Sequence, residues 1–227
     1  AYAVAALWTG RYHSWIKPVK PWLLFATLTL GMGILLGGAW AYVSLTFGGF
    51  WAWDPVENAS LVPWLTLVAG LHFVMAGRNH NFSQLSAFIF VTFAYVMVLY
   101  ASFLTRSGVL SETSVHSFGD NGLMIQLIAY TVVFFLLSIG LFVWRYKALT
   151  KKDKENILSR EFWMFVGGMV VVLSAFQVVF STSIPVINSI FGSNLAPPLN
   201  PVAYYNQWQL PYAFLIALII GYSRPPG

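Results

Sequence analysis

The stretch FGGFWAWDPVENASLVPW, Phe47 to Trp64, gathers three tryptophans, two carboxylates, an asparagine and two prolines without a lysine or arginine. Its second half carries a helix start. Asp54 stands at the N-cap, Pro55 at the first helical position and Glu57 at the third, where a carboxylate complements the positive helix end. A helix therefore begins here and enters the apolar run that closes at Ala76, with Pro63 two turns in and expected to bend it.

Around this stretch the chain is mostly hydrocarbon. Of its residues 58% are hydrophobic and 8% charged, whereas water-soluble domains carry roughly 25% charged residues. The mean hydropathy is +0.71. Apolar runs of bilayer-crossing length, roughly 20 residues, recur between short polar connections. The pattern predicts an all-α polytopic transmembrane bundle, with complete spans at Trp22–Ser44, Ala59–Ala76, Leu85–Leu104, Leu123–Trp144 and Phe162–Ser181. Partial spans are expected at Ala1–Trp8 and Leu210–Tyr222. The first residue is not methionine, and residues 1–227 read as one membrane domain taken from a longer protein, Ala1–Trp8 being the tail of a helix begun upstream.

Every lysine and arginine except Arg106 falls on alternate connections. By the positive-inside tendency those connections are cytoplasmic. The net charge of +5 thus describes one membrane face and calls for no nucleic acid. The tryptophan-rich segment 47–64 and the loops 105–122 and 182–209 fall on the outer side, which in a bacterial inner (cytoplasmic) membrane is the periplasmic side. The run Lys151 to Glu155 reads as a solvated connection. With no cysteine in the chain, any thiol chemistry belongs to a partner. Within the first complete span, Gly33 and Gly37 have the GxxxG spacing that lets helix backbones approach, and a packed helix contact is expected there.

Phe47, Phe50, Trp51 and Trp53 form an aromatic shelf at the outer boundary. An interfacial belt accounts for one or two tryptophans. The density here, together with Asp54, Glu57, Asn58 and Trp64, suggests instead a platform for a flat apolar ligand with a polar rim.

These residues also carry a resemblance. FWAWDPVENASLVPWL resembles the tryptophan-rich signature of the haem-handling family of cytochrome c biogenesis, and WDPVENAS resembles its CcmF/NrfE/CycK form. SFLTRSGVL (Ser102 to Leu110), SVHSF (Ser114 to Phe118) and APPLNPVAYYNQ (Ala196 to Gln207) are similar to further segments of that family, so the likeness covers nearly the whole chain. Phe47 and Phe50 depart from it, standing where the family has tryptophan. Stacking faces survive that change, but indole N–H donors are lost.

Four histidines are present. His13 and His80 lie beside arginines in cytoplasmic connections and read as solvated bystanders. His116 lies in the outer loop, where it is either a solvated histidine or an iron ligand beside the shelf. Glu112, four residues earlier, would orient its ring if that piece is helical. His72 sits inside its apolar span, about 18 Å at helical rise past the span's outer end, on the face of Leu61, Trp64 and Val68. It is either a neutral histidine bonded across to Gln126 or Tyr100, or a ligand. The resemblance implies that His116 is the axial ligand of an outer substrate haem and His72 that of a b-type haem within the membrane. It places both second ligands outside this sequence, so this piece alone is expected to hold haem weakly. Arg106 either snorkels toward headgroups or pairs with a haem propionate.

The function implied by the resemblance is haem positioning for attachment to apocytochrome c, with a haem chaperone and a thiol-reducing, apocytochrome-binding subunit as partners besides membrane lipid. A haem exporter or chaperone-loading protein of the same superfamily would use the same shelf. A transporter for an unrelated apolar solute would show interrupted membrane helices and no iron dependence.

Overall fold

A computed structural model describes residues 1–44, 49–76, 81–114, 116, 119, 122–149 and 159–222. Phe47 and Gly48 of the shelf, Arg78, His80, the run Lys151 to Glu155 and Arg224 lie outside the described residues. Among those described there are eight helices and no strand. They are α1 (Tyr2–Thr9), α2 (Ile16–Val43), α3 (Pro55–Ala76), α4 (Asn81–Arg106), α5 (Met124–Leu149), α6 (Arg160–Thr182), α7 (Ile184–Phe191) and α8 (Pro201–Tyr222). Helices α2 to α6 are each long and apolar enough to cross a membrane. At 22 residues, α3 rises about 33 Å against a hydrocarbon core of about 30 Å.

Helix α3 is the most buried of the five. It packs against α2, α4 and α6, with Ala69, Phe73 and Val74 sealed from the surface. Lipid is as apolar as leucine, so close backbone approach and dispersion hold such helices together. Two glycines provide that approach. A Cβ on Gly70 would stand 3.2 Å from the backbone nitrogen of Val91 in α4, and one on Gly168 of α6 would stand 2.7 Å from the Phe73 ring.

Contacts define two ends of the bundle. At one end Trp53 meets Asn206, Asp54 meets Ser114, Tyr100 meets Ser183, and Leu127 joins the cluster around Phe103. At the other, Gln84 donates to the Tyr12 carbonyl, and Trp163 packs on Tyr222. There too the Arg145 guanidinium bonds the carbonyls of Leu7 and Trp8 at the C-terminal end of α1 while lying 3.8 Å over the Trp144 ring. Arg106 belongs to the first end; Arg11, Lys17, Lys20, Lys147 and Arg160 belong to the second.

Each complete span is found, with longer bounds than the hydropathy gave. Helix α2 starts at Ile16 because Pro18 falls in its first turn, where no amide hydrogen is needed; Pro21 is also accommodated inside it. Helix α3 runs through Pro63 without a break. The region 182–209 departs from its reading as a loop. It contains α7 and the first turns of α8, which is 22 residues long rather than the partial span Leu210–Tyr222. Asn200 accepts from the Ala203 amide, and Pro201 takes the first helical position. This is the same aspartate-or-asparagine and proline start as Asp54–Pro55.

Candidate functional site

The site begins with the N-terminus of α3. Asp54 Oδ1 accepts from the Val56 amide at 2.8 Å. Glu57 reaches back so that Oε2 accepts from the amides of Ala52 at 2.9 Å and Asp54 at 3.0 Å. This reciprocal arrangement satisfies amides that a helix start leaves without partners. Asn58 is fully buried and donates from Nδ2 to the Trp53 carbonyl at 3.2 Å. Trp53 is the single described non-glycine residue with positive φ, 57°, a conformation that costs on the order of 1 kcal/mol and persists only where its surroundings enforce it. The enforcement is visible: Nε1 donates to Asn206 Oδ1 at 3.0 Å, and the indole stacks on Tyr205 with centroids 5.0 Å apart and planes at 16°.

These bonds divide the predicted shelf. Trp53 faces α8 and Asn58 is sealed beneath it. Trp64 faces α2, where Nε1 donates to the Thr27 carbonyl at 3.0 Å and lies 2.8 Å from where a Cβ on Gly31 would stand. Trp51 alone of the three tryptophans lines the cleft between α2 and the start of α3, its ring edge-on to Trp53 at 5.7 Å.

That cleft, about 260 Å³, opens between α2 and the start of α3. One wall is Trp51, Val56, Glu57, Ser60 and His116; the other is Leu30, Gly33, Ile34, Gly37, Gly38, Trp40 and Ala41. The expected packed helix contact at Gly33 and Gly37 is not formed. A Cβ at either glycine would meet nothing within 4 Å, so their bare backbone faces the cleft. At Gly38 the fit is different: a Cβ would stand 2.8 Å from the Phe50 carbonyl. The α2 wall was missed in the sequence because glycines at four-residue spacing read as helix packing. The signal that finds it is Trp40, three residues after Gly37 on the same helix face.

His116 joins the cleft from the turn after α4. Its Nδ1 lies 3.3 Å from Asp54 Oδ1, the two side chains being 15% and 10% exposed. Its amide donates to Ser114 Oγ at 3.1 Å. Glu112 does not supply the expected orientation: the segment around it forms turns, Glu112 is exposed, and the carboxylate beside the ring is Asp54.

His72 lies two turns beyond Trp64 on α3. Its Nδ1 is 2.8 Å from the Val68 carbonyl. A carbonyl only accepts, so Nδ1 carries the proton and Nε2 keeps its lone pair. Neither partner weighed from the sequence is used, since Tyr100 donates to Ser183 Oγ at 2.7 Å and Gln126 turns to the carbonyls of Gly122 and Leu123. Arg106 is exposed at the last residue of α4 and does not line the cleft. His13 is exposed, with Nδ1 3.1 Å from Gln84 Nε2.

The cleft thus offers an indole face, a bare glycine face and an imidazole whose Nδ1 lies 3.3 Å from a carboxylate oxygen. Residues 10–111 match the family described as "Cytochrome C assembly protein". The chain is 34% identical over 228 residues to the cytochrome c-type biogenesis protein CcmF of Pseudomonas fluorescens, covering 97% of this chain and 33% of that one. It is 34% identical over 227 residues to CycK of Bradyrhizobium diazoefficiens, with 97% and 33% covered, and 36% identical over 157 residues to NrfE of Haemophilus influenzae, with 69% and 24% covered. Among solved structures, "Cytochrome c Heme Lyase CcmF" superposes with a TM-score of 0.74 at 30% identity, covering all of this chain and 34% of the other. The chain thus spans about a third of the length of the relatives it matches.

Proposed function

Because the chain belongs to the CcmF/CycK/NrfE family of cytochrome c-type biogenesis proteins, we propose that its α2–α3 cleft holds substrate haem for attachment to apocytochrome c. It is a multi-pass membrane protein; the proposed setting is the bacterial inner membrane, with the cleft on the periplasmic side. That orientation follows from the clustering of Arg11, Lys17, Lys20, Arg145 and Lys147 at the opposite end.

The observation that carries the reading is the cleft itself, where Gly33 and Gly37 leave room for a planar ring and Trp51 and Trp40 offer faces for it. His116 on the same wall offers an imidazole, a common axial ligand of haem iron. Bound haem supplies the vinyl groups that become thioethers with the paired cysteine thiols of the apocytochrome. The chain, which has no cysteine, contributes position. Gly33 and Gly37 admit the macrocycle, Trp51 fixes its plane, and His116 fixes its distance from the end of α3, so that an improbable encounter becomes an oriented one. Glu57 keeps the 52–54 backbone in place beneath it. A haem chaperone delivers the haem and a thiol-reducing, apocytochrome-binding subunit presents the thiols.

His72, its Nε2 lone pair available, is assigned to a b-type haem within the membrane. An exporter would use the same cleft, and its discrimination lies in whether thioether product forms. The test is an absorption spectrum of the full-length protein: His116→Ala removes the outer haem signal and His72→Ala the membrane one, whereas two variants with unchanged Soret bands refute both assignments.

A further inference from the structure

We propose that Asp54 is the positioning residue for His116, joining the start of α3 to the turn that carries the imidazole. This rests on the haem reading of the cleft and assigns a role to a carboxylate already engaged as a helix cap.

Three contacts converge on the same oxygen. Asp54 Oδ1 accepts from the Val56 amide at 2.8 Å and from Ser114 Oγ at 2.6 Å, and it lies 3.3 Å from His116 Nδ1, a contact within ion-pair range but not aligned as a hydrogen bond. Ser114 completes a two-point clasp, because its hydroxyl oxygen accepts from the His116 amide at 3.1 Å. Sixty residues separate Asp54 from Ser114, so the bond ties the turn after α4 to the cap of α3.

The chemistry follows from the acceptor. A carboxylate beside Nδ1 favours the tautomer with its proton on Nδ1, which leaves the lone pair on Nε2 for iron and makes that nitrogen a stronger donor. His72 reaches the same tautomer through the Val68 carbonyl. On this proposal the two histidines share a tautomer but not a partner, the carboxylate at His116 and a carbonyl at His72.

The experiment uses the full-length protein in membranes, ¹⁵N-labelled at histidine. Nitrogen NMR without added haem reads the His116 tautomer, and the retained haem is then measured on purification. Asp54→Ser keeps a capping oxygen for the helix start but is too short for the imidazole; Asp54→Asn keeps an acceptor for both. Wild type and Asp54→Asn are expected to show Nδ1–H at His116, and Asp54→Ser to shift toward Nε2–H with about tenfold lower haem retention, the usual scale for losing a ligand's carboxylate partner. The His72 resonance is expected to stay fixed in all three.

Unchanged His116 tautomer and unchanged haem retention in Asp54→Ser overturn the inference. Should wild type retain no haem while the tautomer still shifts in Asp54→Ser, the haem reading fails and the positioning relation stands.

Discussion

Trp53 Nε1 donates to Asn206 Oδ1 across 153 residues of chain, 3.0 Å apart, and the same indole lies flat on Tyr205. One side chain therefore joins the start of α3 to the start of α8, and with Asn58 holding its carbonyl it stays at φ 57°. Trp53 is a strut of the site rather than its surface, and this has measurable consequences.

Asn206→Ala is expected to destabilise the protein by about 1 kcal/mol, the scale of one buried hydrogen bond between helices. Trp53→Ala removes the stack as well, with an expected cost of about 3 kcal/mol. Thermal unfolding in detergent, followed by helical circular dichroism, reads both. Trp51→Ala should leave that transition within about 1 kcal/mol of wild type and lower haem retention instead. Equal effects of Trp51→Ala and Trp53→Ala on stability would remove the distinction.

Gly37→Leu is expected to fill the cleft at little cost to the fold, because a Cβ there meets nothing within 4 Å. The folded yield stays near wild type while the outer haem falls at least about tenfold, roughly 1.4 kcal/mol of lost binding. Gly168→Leu is the contrasting change. Its Cβ would stand 2.7 Å from the Phe73 ring, so the α3–α6 seam must open, at a cost of about 1–3 kcal/mol. Purified yield and unfolding temperature separate the two glycines.

His72→Ala is expected to abolish the haem signal within the membrane and to leave the outer one in place. The two histidines lie at different levels of the bundle, His116 in the cleft at the start of α3 and His72 about 25 Å along the helix from Pro55. Redox titration of the absorption spectrum resolves the two populations. Loss of both signals together in His72→Ala would mean that they share a site.

The start of α3 was legible in the sequence because Asp54, Pro55 and Glu57 act within one turn, and local chemistry is written in neighbouring residues. The start of α8 has the same signature in Asn200 and Pro201, but it follows a segment too polar to register as a span, so 182–209 reads as a loop. The five crossing helices were legible from apolar length. Partners in space were not. Glu112 suggests itself for orienting His116 because four residues is a helical spacing, whereas the carboxylate beside the ring lies 62 positions earlier in sequence. Gly33 and Gly37 read as a packing seam because an exposed glycine and a packed one look alike until the neighbouring helix is placed. The tryptophans divided for the same reason: nothing in WAW tells which ring meets α8 and which meets the cleft.

The most direct measurement is the haem content and low-spin spectrum of the full-length protein purified from membranes as wild type, His116→Ala and Gly37→Leu. The central claim predicts that wild type retains an outer haem, that both variants lose it, and that the membrane haem persists in each. Full outer-haem occupancy in Gly37→Leu together with His116→Ala would contradict it, because neither the open glycine face nor the imidazole would then be holding the ring.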